Sequence, residues 1–198
     1  MIEMQEMPED IKTKIPQAVS DAVSALLAVN AHAVIAIDGR AAAGKTTLAA
    51  ALTAAFDAAV VHMDDFFLPP SLRTAERLLE PGGNVDYDRF AAEVLPPLAD
   101  GCTFAYWRFD CSRMDFGRSV TVPARRLRIV EGSYAHHPRF GEYADLRIFL
   151  DIDDDTQRLR IIARNGAEKY AVFRDRWIPM ENRYFQTYAI RQHADLLL

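Results

Sequence analysis

Five short apolar runs punctuate the chain: Ala33–Ile37, Ala59–Met63, Leu127–Val130, Leu146–Leu150 and Ala194–Leu198. Each has the length of a strand and lacks the strict alternation of a half-exposed one, which predicts strands buried on both faces. Elsewhere apolar positions recur at helical spacing. That spacing predicts helices over Pro16–Ala28, Thr46–Phe56, Asp88–Leu95, Thr156–Arg164 and Ala167–Tyr188, the last interrupted near Pro179. Strands alternating with helices argue for an α/β fold, a parallel sheet between two helical layers. Thr103–Phe109 and Ser119–Pro123 have no helix between them and read as an inserted hairpin, 103–123. Pro96 and Pro97 should end the helix before it. A short polar leader, 1–13, precedes a single domain.

Composition narrows the partners. The 198 residues are 50% hydrophobic and 26% charged, enough for one packed core. A net charge of −5 repels a phosphate backbone, so nucleic acid is not expected, and a small anionic ligand would need its own cations. Cys102 and Cys111 match no zinc spacing and cannot staple a domain of this size, which fits a reduced, cytoplasmic setting. The longest uncharged stretch, Ala22–Ile37, falls short of the roughly 20 apolar residues of a bilayer span. Met1–Asp10 is acidic where a signal peptide would be basic. No membrane partner is expected, and homo-oligomerisation is left open.

Three of the runs lead into an acid: Asp38, Asp64 and Glu131. In an open parallel sheet ligands sit beyond the carboxyl ends of the strands, so these acids should gather at one edge. The first run leads directly into Gly39-Arg40-Ala41-Ala42-Ala43-Gly44-Lys45-Thr46, a G-x-x-x-x-G-K-[ST] phosphate-binding loop, followed by Thr47. The glycines let successive N–H groups turn inward, and the helix that follows aims its positive end at the same anion. Lys45 is placed to reach the β- and γ-phosphates and the Thr46 hydroxyl to bind Mg²⁺. The motif predicts ATP and Mg²⁺ as cofactors.

The second run ends in Val61-His62-Met63-Asp64-Asp65-Phe66-Phe67. Transfer of a phosphoryl group to an alcohol calls for a carboxylate that accepts the hydroxyl proton. Asp64 is the first candidate and Asp65 the second, because adjacent residues at a strand end point in different directions. Phe66 and Phe67 are either walls of an acceptor pocket or plain core.

These segments, with Gly82-Gly83-Asn84-Val85-Asp86-Tyr87-Asp88-Arg89-Phe90 and Val130-Glu131-Gly132, resemble the uridine kinase and phosphoribulokinase family of P-loop kinases. The resemblance runs in order from Val34 to Leu198. It implies a P-loop NTPase fold with a five-stranded parallel sheet, a small hairpin and a lid. It also implies phosphoryl transfer from ATP to a hydroxyl of a small molecule, a nucleoside first. By the same resemblance Asp64 is the base and Glu131 helps hold the metal. Asp86 contacts the acceptor's sugar, Tyr106 its base, and Asp65 and Arg108 lie on the substrate side. Arg160 and Arg164, four apart on one helix face, look like lid arginines that close on the phosphates, Arg160 toward the nucleotide and Arg164 toward the transferring group.

The sequence departs from the family in three places. The lid, 156–166, is short; Cys111 falls where uridine kinases carry a histidine; and Ser133-Tyr134-Ala135-His136-His137-Pro138 is unlike theirs. A sugar, a pantothenate-like or an antibiotic alcohol is therefore the alternative acceptor, and a non-catalytic nucleotide-binding module a further reading. His136 and His137 are assigned to local hydrogen bonding or a substrate contact, and Trp177, Met180, Tyr184 and Tyr188 to a core stripe. Arg125, Arg126 and Arg128 read as a solvated edge, and Asp153–Asp155 as a helix cap.

Overall fold

The computed structural model describes residues 15–198, so the predicted leader, 1–13, lies outside the described residues. α1 (Gln17–Val29) leads into β1 (Ala33–Gly39), every residue of which is buried. α2 (Lys45–Phe56), β2 (Ala59–His62) and a 3₁₀ turn over Met63–Phe66 follow. Three short helices come next: α3 (Ala75–Leu79), α4 (Tyr87–Glu93) and α5 (Leu95–Asp100). The hairpin strands are β3 (Phe104–Asp110) and β4 (Asp115–Val122), before β5 (Leu127–Glu131) and β6 (Leu146–Leu150). The chain closes with α6 (Asp154–Asn165), α7 (Ala167–Val172), a π-helical turn over Phe173–Trp177, α8 (Ile178–Thr187) and β7 (Leu196–Leu197).

The main sheet has the order β2-β5-β1-β6-β7 and each of its pairs is parallel. Alternation along β1 feeds two cores. Ile35 and Ile37 share one core with Ile129 of β5 and Ile148 of β6, under Val19 and Val23 of α1 and Leu48 and Leu52 of α2. Val34 faces the opposite layer with Val130, Phe149 and Tyr184. Because β1 is central and its neighbours run parallel, the loops after β1, β2 and β5 meet at one edge, with His62 beside Glu131 and Glu131 beside Ile37 in register. This is the three-layer fold expected of the sequence, with the hairpin as a separate two-stranded sheet.

Local chemistry sets the helix ends. Asp153 accepts from the Thr156 amide at 2.8 Å and caps α6, as the acid run suggests, and α6 stops at Gly166. Pro96 and Pro97 do not merely end a helix: they occupy the first turn of α5, where their missing N–H groups cost nothing, and the predicted helix divides at Val94. The break in the last helical stretch precedes Pro179, in the π-helical turn. The arginine edge needs a larger correction. Arg125 and Arg126 are exposed, but Arg128 is 1% exposed within β5 and donates to the carbonyls of Leu98, at 3.0 Å, and Gly101. Those carbonyls take the two terminal nitrogens of a charge that sequence alone assigns to water.

Candidate active site

The loop after β1 is built by glycine. A Cβ on Gly39 would lie 2.1 Å from the Leu150 carbonyl oxygen, so only glycine allows β1 to run this close to β6. Gly44 has φ +105° and opens α2, and a Cβ there would meet nothing within 4 Å; the loop is hollow on that side. Lys45 Nζ donates to the carbonyls of Gly39 and Arg40, at 2.7 and 3.0 Å, which fixes the ammonium across the loop. The Arg40 side chain turns away from the hollow toward α6, donating to the Ile152 carbonyl at 2.6 Å and Gln157 Oε1 at 2.7 Å and pairing with Asp154. Gln157 donates to the Ala41 carbonyl at 3.1 Å and Arg160 to that of Ala42 at 3.2 Å, so α6 grips the loop from outside.

A cleft of about 600 Å³ opens over this loop. Ala41, Ala42, Gly44, Lys45, Thr46 and Thr47 line it, and Gly39, Arg40 and Ala43 do not. Thr46 Oγ1 lies 3.2 Å from both carboxylate oxygens of Glu131. A hydroxyl and a carboxylate at that spacing suit a hard divalent cation such as Mg²⁺. Among the described residues no group of three or more His, Cys, Asp or Glu side chains gathers around a metal site. A cation beside Thr46 and Glu131 would therefore complete its shell from phosphate and water oxygens. Glu131 is further held by His62 Nδ1 at 2.6 Å, and this contact raises the imidazole pKa against the opposing effect of burial.

The two adjacent acids after β2 have opposite fates. Asp64 opens onto the cleft. Asp64 is exposed at the cleft, and the protein packed around it still pushes its pKa above an ordinary aspartate value by desolvation; Glu131 and Asp65 add to the rise, while Lys45 and His62 oppose it. Asp65 is buried on the far side of the turn. It accepts from the Tyr106 hydroxyl at 2.8 Å, and Arg108 Nε lies 3.0 Å from its other oxygen. Arg89 donates to its carbonyl at 2.5 Å. Asp65, Tyr106 and Arg108 thus form a brace between the strand end and the hairpin and do not line the cleft. Asp86 caps α4 by accepting from the Arg89 amide at 3.1 Å and is likewise outside the lining. The four positions expected to touch an acceptor therefore carry structural contacts here. Phe66 is core, against Phe90 and Tyr106, whereas Phe67 lines the cleft.

Asp38 is the third strand-end acid and never reaches the cleft. It is fully buried, accepting from the amides of Gly39, Tyr134 and His136 and from the Tyr184 hydroxyl. It ties β1, the loop after β5 and α8 together. His136 bonds the Ala36 carbonyl at 3.1 Å and His137 the Pro81 carbonyl at 3.1 Å; burial pulls His137 down to about 4, so it is neutral. Neither histidine lines the cleft.

Arg160 and Arg164 both reach the cleft from α6. The sequence reading omits several neighbours. Arg73, Asn84, Ser133, Arg176 and Glu181 also line it, as does Trp177, so the predicted aromatic stripe is only partly core: Tyr184 is buried, Trp177 faces the cleft. Glu181 is buried and accepts from the Ser133 hydroxyl at 2.6 Å and the Ala41 amide at 3.1 Å, with its pKa raised by burial. No local motif marks these residues. Their common location follows from strand order and from the return of α8 to the loop. Cys102 and Cys111 are free and exposed. Among the described residues no helix is long and apolar enough to cross a membrane.

No family model matches the chain. Solved structures share its fold. A possible uridine kinase from Bacillus stearothermophilus aligns with a TM-score of 0.66 at 19% identity, over 91% of this chain and 99% of that one. A candidate fructose transport system kinase from a Silicibacter species aligns with a TM-score of 0.67 at 22% identity, over 91% of this chain and 97% of its own. The likeness is one of architecture.

Proposed function

We propose that this protein is an ATP- and Mg²⁺-dependent phosphotransferase acting on the hydroxyl of a small molecule. The observation that supports it most is that Asp64 lines the same cleft as the loop that carries Lys45 and Thr46. Asp64 aligns the acceptor hydroxyl and takes its proton as the oxygen–phosphorus bond forms. The bond from the γ-phosphorus to the bridging oxygen breaks, and ADP leaves. Lys45, Arg160 and Arg164 neutralise charge on the transferring group. Thr46 and Glu131 would hold Mg²⁺, which supplies charge neutralisation on the β- and γ-phosphates. Since the transition state of such transfers is loose, positioning and electrostatics carry most of the rate.

The resemblance noted in the sequence makes a nucleoside the first acceptor to consider. One observation favours the second reading, another small alcohol: Tyr106, the expected base contact, is 1% exposed and spends its hydroxyl on Asp65. The test is ADP release from ATP and Mg²⁺ against a panel of nucleosides, sugars, pantothenate-like and antibiotic alcohols. Release that depends on one acceptor class upholds the proposal. Slow release indifferent to every acceptor contradicts it and favours a nucleotide-binding module.

A further inference from the structure

Glu181 is a carboxylate inside a site built for anions, and it takes no part in the proposed transfer. It lies in α8, is 5% exposed, and lines the cleft together with Ala41, Gly44 and Lys45. Its Oε2 accepts from the Ala41 amide at 3.1 Å, and its Oε1 accepts from the Ser133 hydroxyl at 2.6 Å. Phosphate loops hold an anion by turning their N–H groups toward it. Here one of those groups, on the third residue of Gly39–Thr46, is already taken by an acidic side chain of the protein itself. The charged and titratable groups that face Glu181 are Lys45 of α2, Asp38 of β1 and Tyr134 of the loop after β5. Burial and Asp38 favour its neutral acid, while Lys45 and the two hydrogen bonds favour the carboxylate.

We propose that Glu181 is a resident anion of the phosphate loop, an affinity-setting residue whose charge must be neutralised before a polyphosphate binds tightly. The proposal goes beyond the phosphotransferase reading and needs only that the loop binds phosphate. Two like charges that share one loop repel, and the repulsion is stronger around a buried carboxylate than in water. The geometry lets a proton relieve it in place. A serine hydroxyl both donates and accepts, so a protonated Oε1 can donate to the Ser133 oxygen while Oε2 still accepts from the Ala41 amide. Ser133 thus fits both states of Glu181, and the link from α8 to the loop survives the change. A polyphosphate entering the loop therefore draws a proton from solvent onto Glu181: an O–H bond forms at Oε1 and the carboxylate loses its charge.

Glu181→Gln copies the protonated state, since its carbonyl can accept from the Ala41 amide and its NH₂ can donate to Ser133. Calorimetry on the full chain, with Mg²⁺ and either ATP or inorganic tripolyphosphate, reads the affinity. Repeating it in buffers of different ionisation enthalpy reads the protons taken up on binding. Glu181→Gln should bind both probes about tenfold more tightly than the wild type, the scale of a typical coupling between two sites. The wild type should also take up more protons per probe bound than the variant, a difference that a merely structural brace does not produce. Tripolyphosphate lacks the nucleoside, so it confines the effect to the loop. Glu181→Met, which fills a similar space without charge, should show the same two changes and serves if the glutamine variant does not fold. Equal or weaker binding in the folded variants, or equal proton uptake in all proteins, overturns the proposal. Binding absent from every protein overturns it too, together with phosphate binding by the loop. Failure of the phosphotransferase reading shows separately, as ADP release indifferent to every acceptor, and leaves these affinities readable.

Discussion

The two ends of the cleft are built in opposite ways. The phosphate end is a loop of backbone, closed by Lys45 to its own carbonyls and gripped by α6 through Arg40, Gln157 and Arg160. Glu181 of α8 accepts from its Ala41 amide, and Glu131 at the end of β5 lies beside its Thr46 hydroxyl. The rest of the lining is assembled from scattered side chains, among them Asp64, Arg73 and Asn84, and the buried Asn84 Oδ1 has no partner among the described residues. A site that binds a common phosphate tail can be preformed by main chain. One that tells one alcohol from another needs side chains whose partners arrive with the ligand.

That contrast can be broken by mutation, and the largest effect is expected at Asp64. Asp64→Asn should lower acceptor-dependent turnover by about 10²–10⁴-fold, the range of a general base, with ATP affinity by calorimetry nearly unchanged. Lys45→Ala acts on the other end. Loss of one preorganised charge at the transferring group should cost about 10²–10³-fold in turnover, accompanied by weaker ATP binding. Glu131→Gln should raise the Mg²⁺ concentration for half-maximal rate by about 10-fold, read from a Mg²⁺ titration at fixed ATP. Tyr106→Phe should have the smallest effect on activity and appear in stability. It leaves Asp65 short of a donor, and denaturant unfolding should register a loss of about 1–3 kcal/mol. A large loss of turnover in Tyr106→Phe with unchanged stability would place Tyr106 in the acceptor site and erase the division between Asp64 and Asp65.

The same contrast explains what was legible in the sequence. The phosphate loop is contiguous, so eight residues from Gly39 to Thr46 announce it without tertiary information. Asp64 and Glu131 were legible because both end apolar runs that must become neighbouring strands. Asp38 looked identical in that respect and differs only because the chain after β5 folds over it, offering the Tyr134 and His136 amides. The choice between Asp64 and Asp65 depended on a 3₁₀ turn that sends one acid to the cleft and the other to the hairpin. His62 pairs with Glu131 because β2 lies next to β5, an order the sequence does not print. Arg128 found its acceptors at the end of α5, about thirty residues earlier in the chain, and no local pattern could have reported them.

The central claim is that Asp64 removes the acceptor proton, and a pH–rate profile tests it most directly. A base must be ionised, so kcat/KM should rise with pH through the Asp64 pKa, which desolvation holds above the ordinary aspartate value. The wild type should show this acid limb displaced upward, and the residual rate of Asp64→Asn should lack it. The same limb in both proteins would contradict the account.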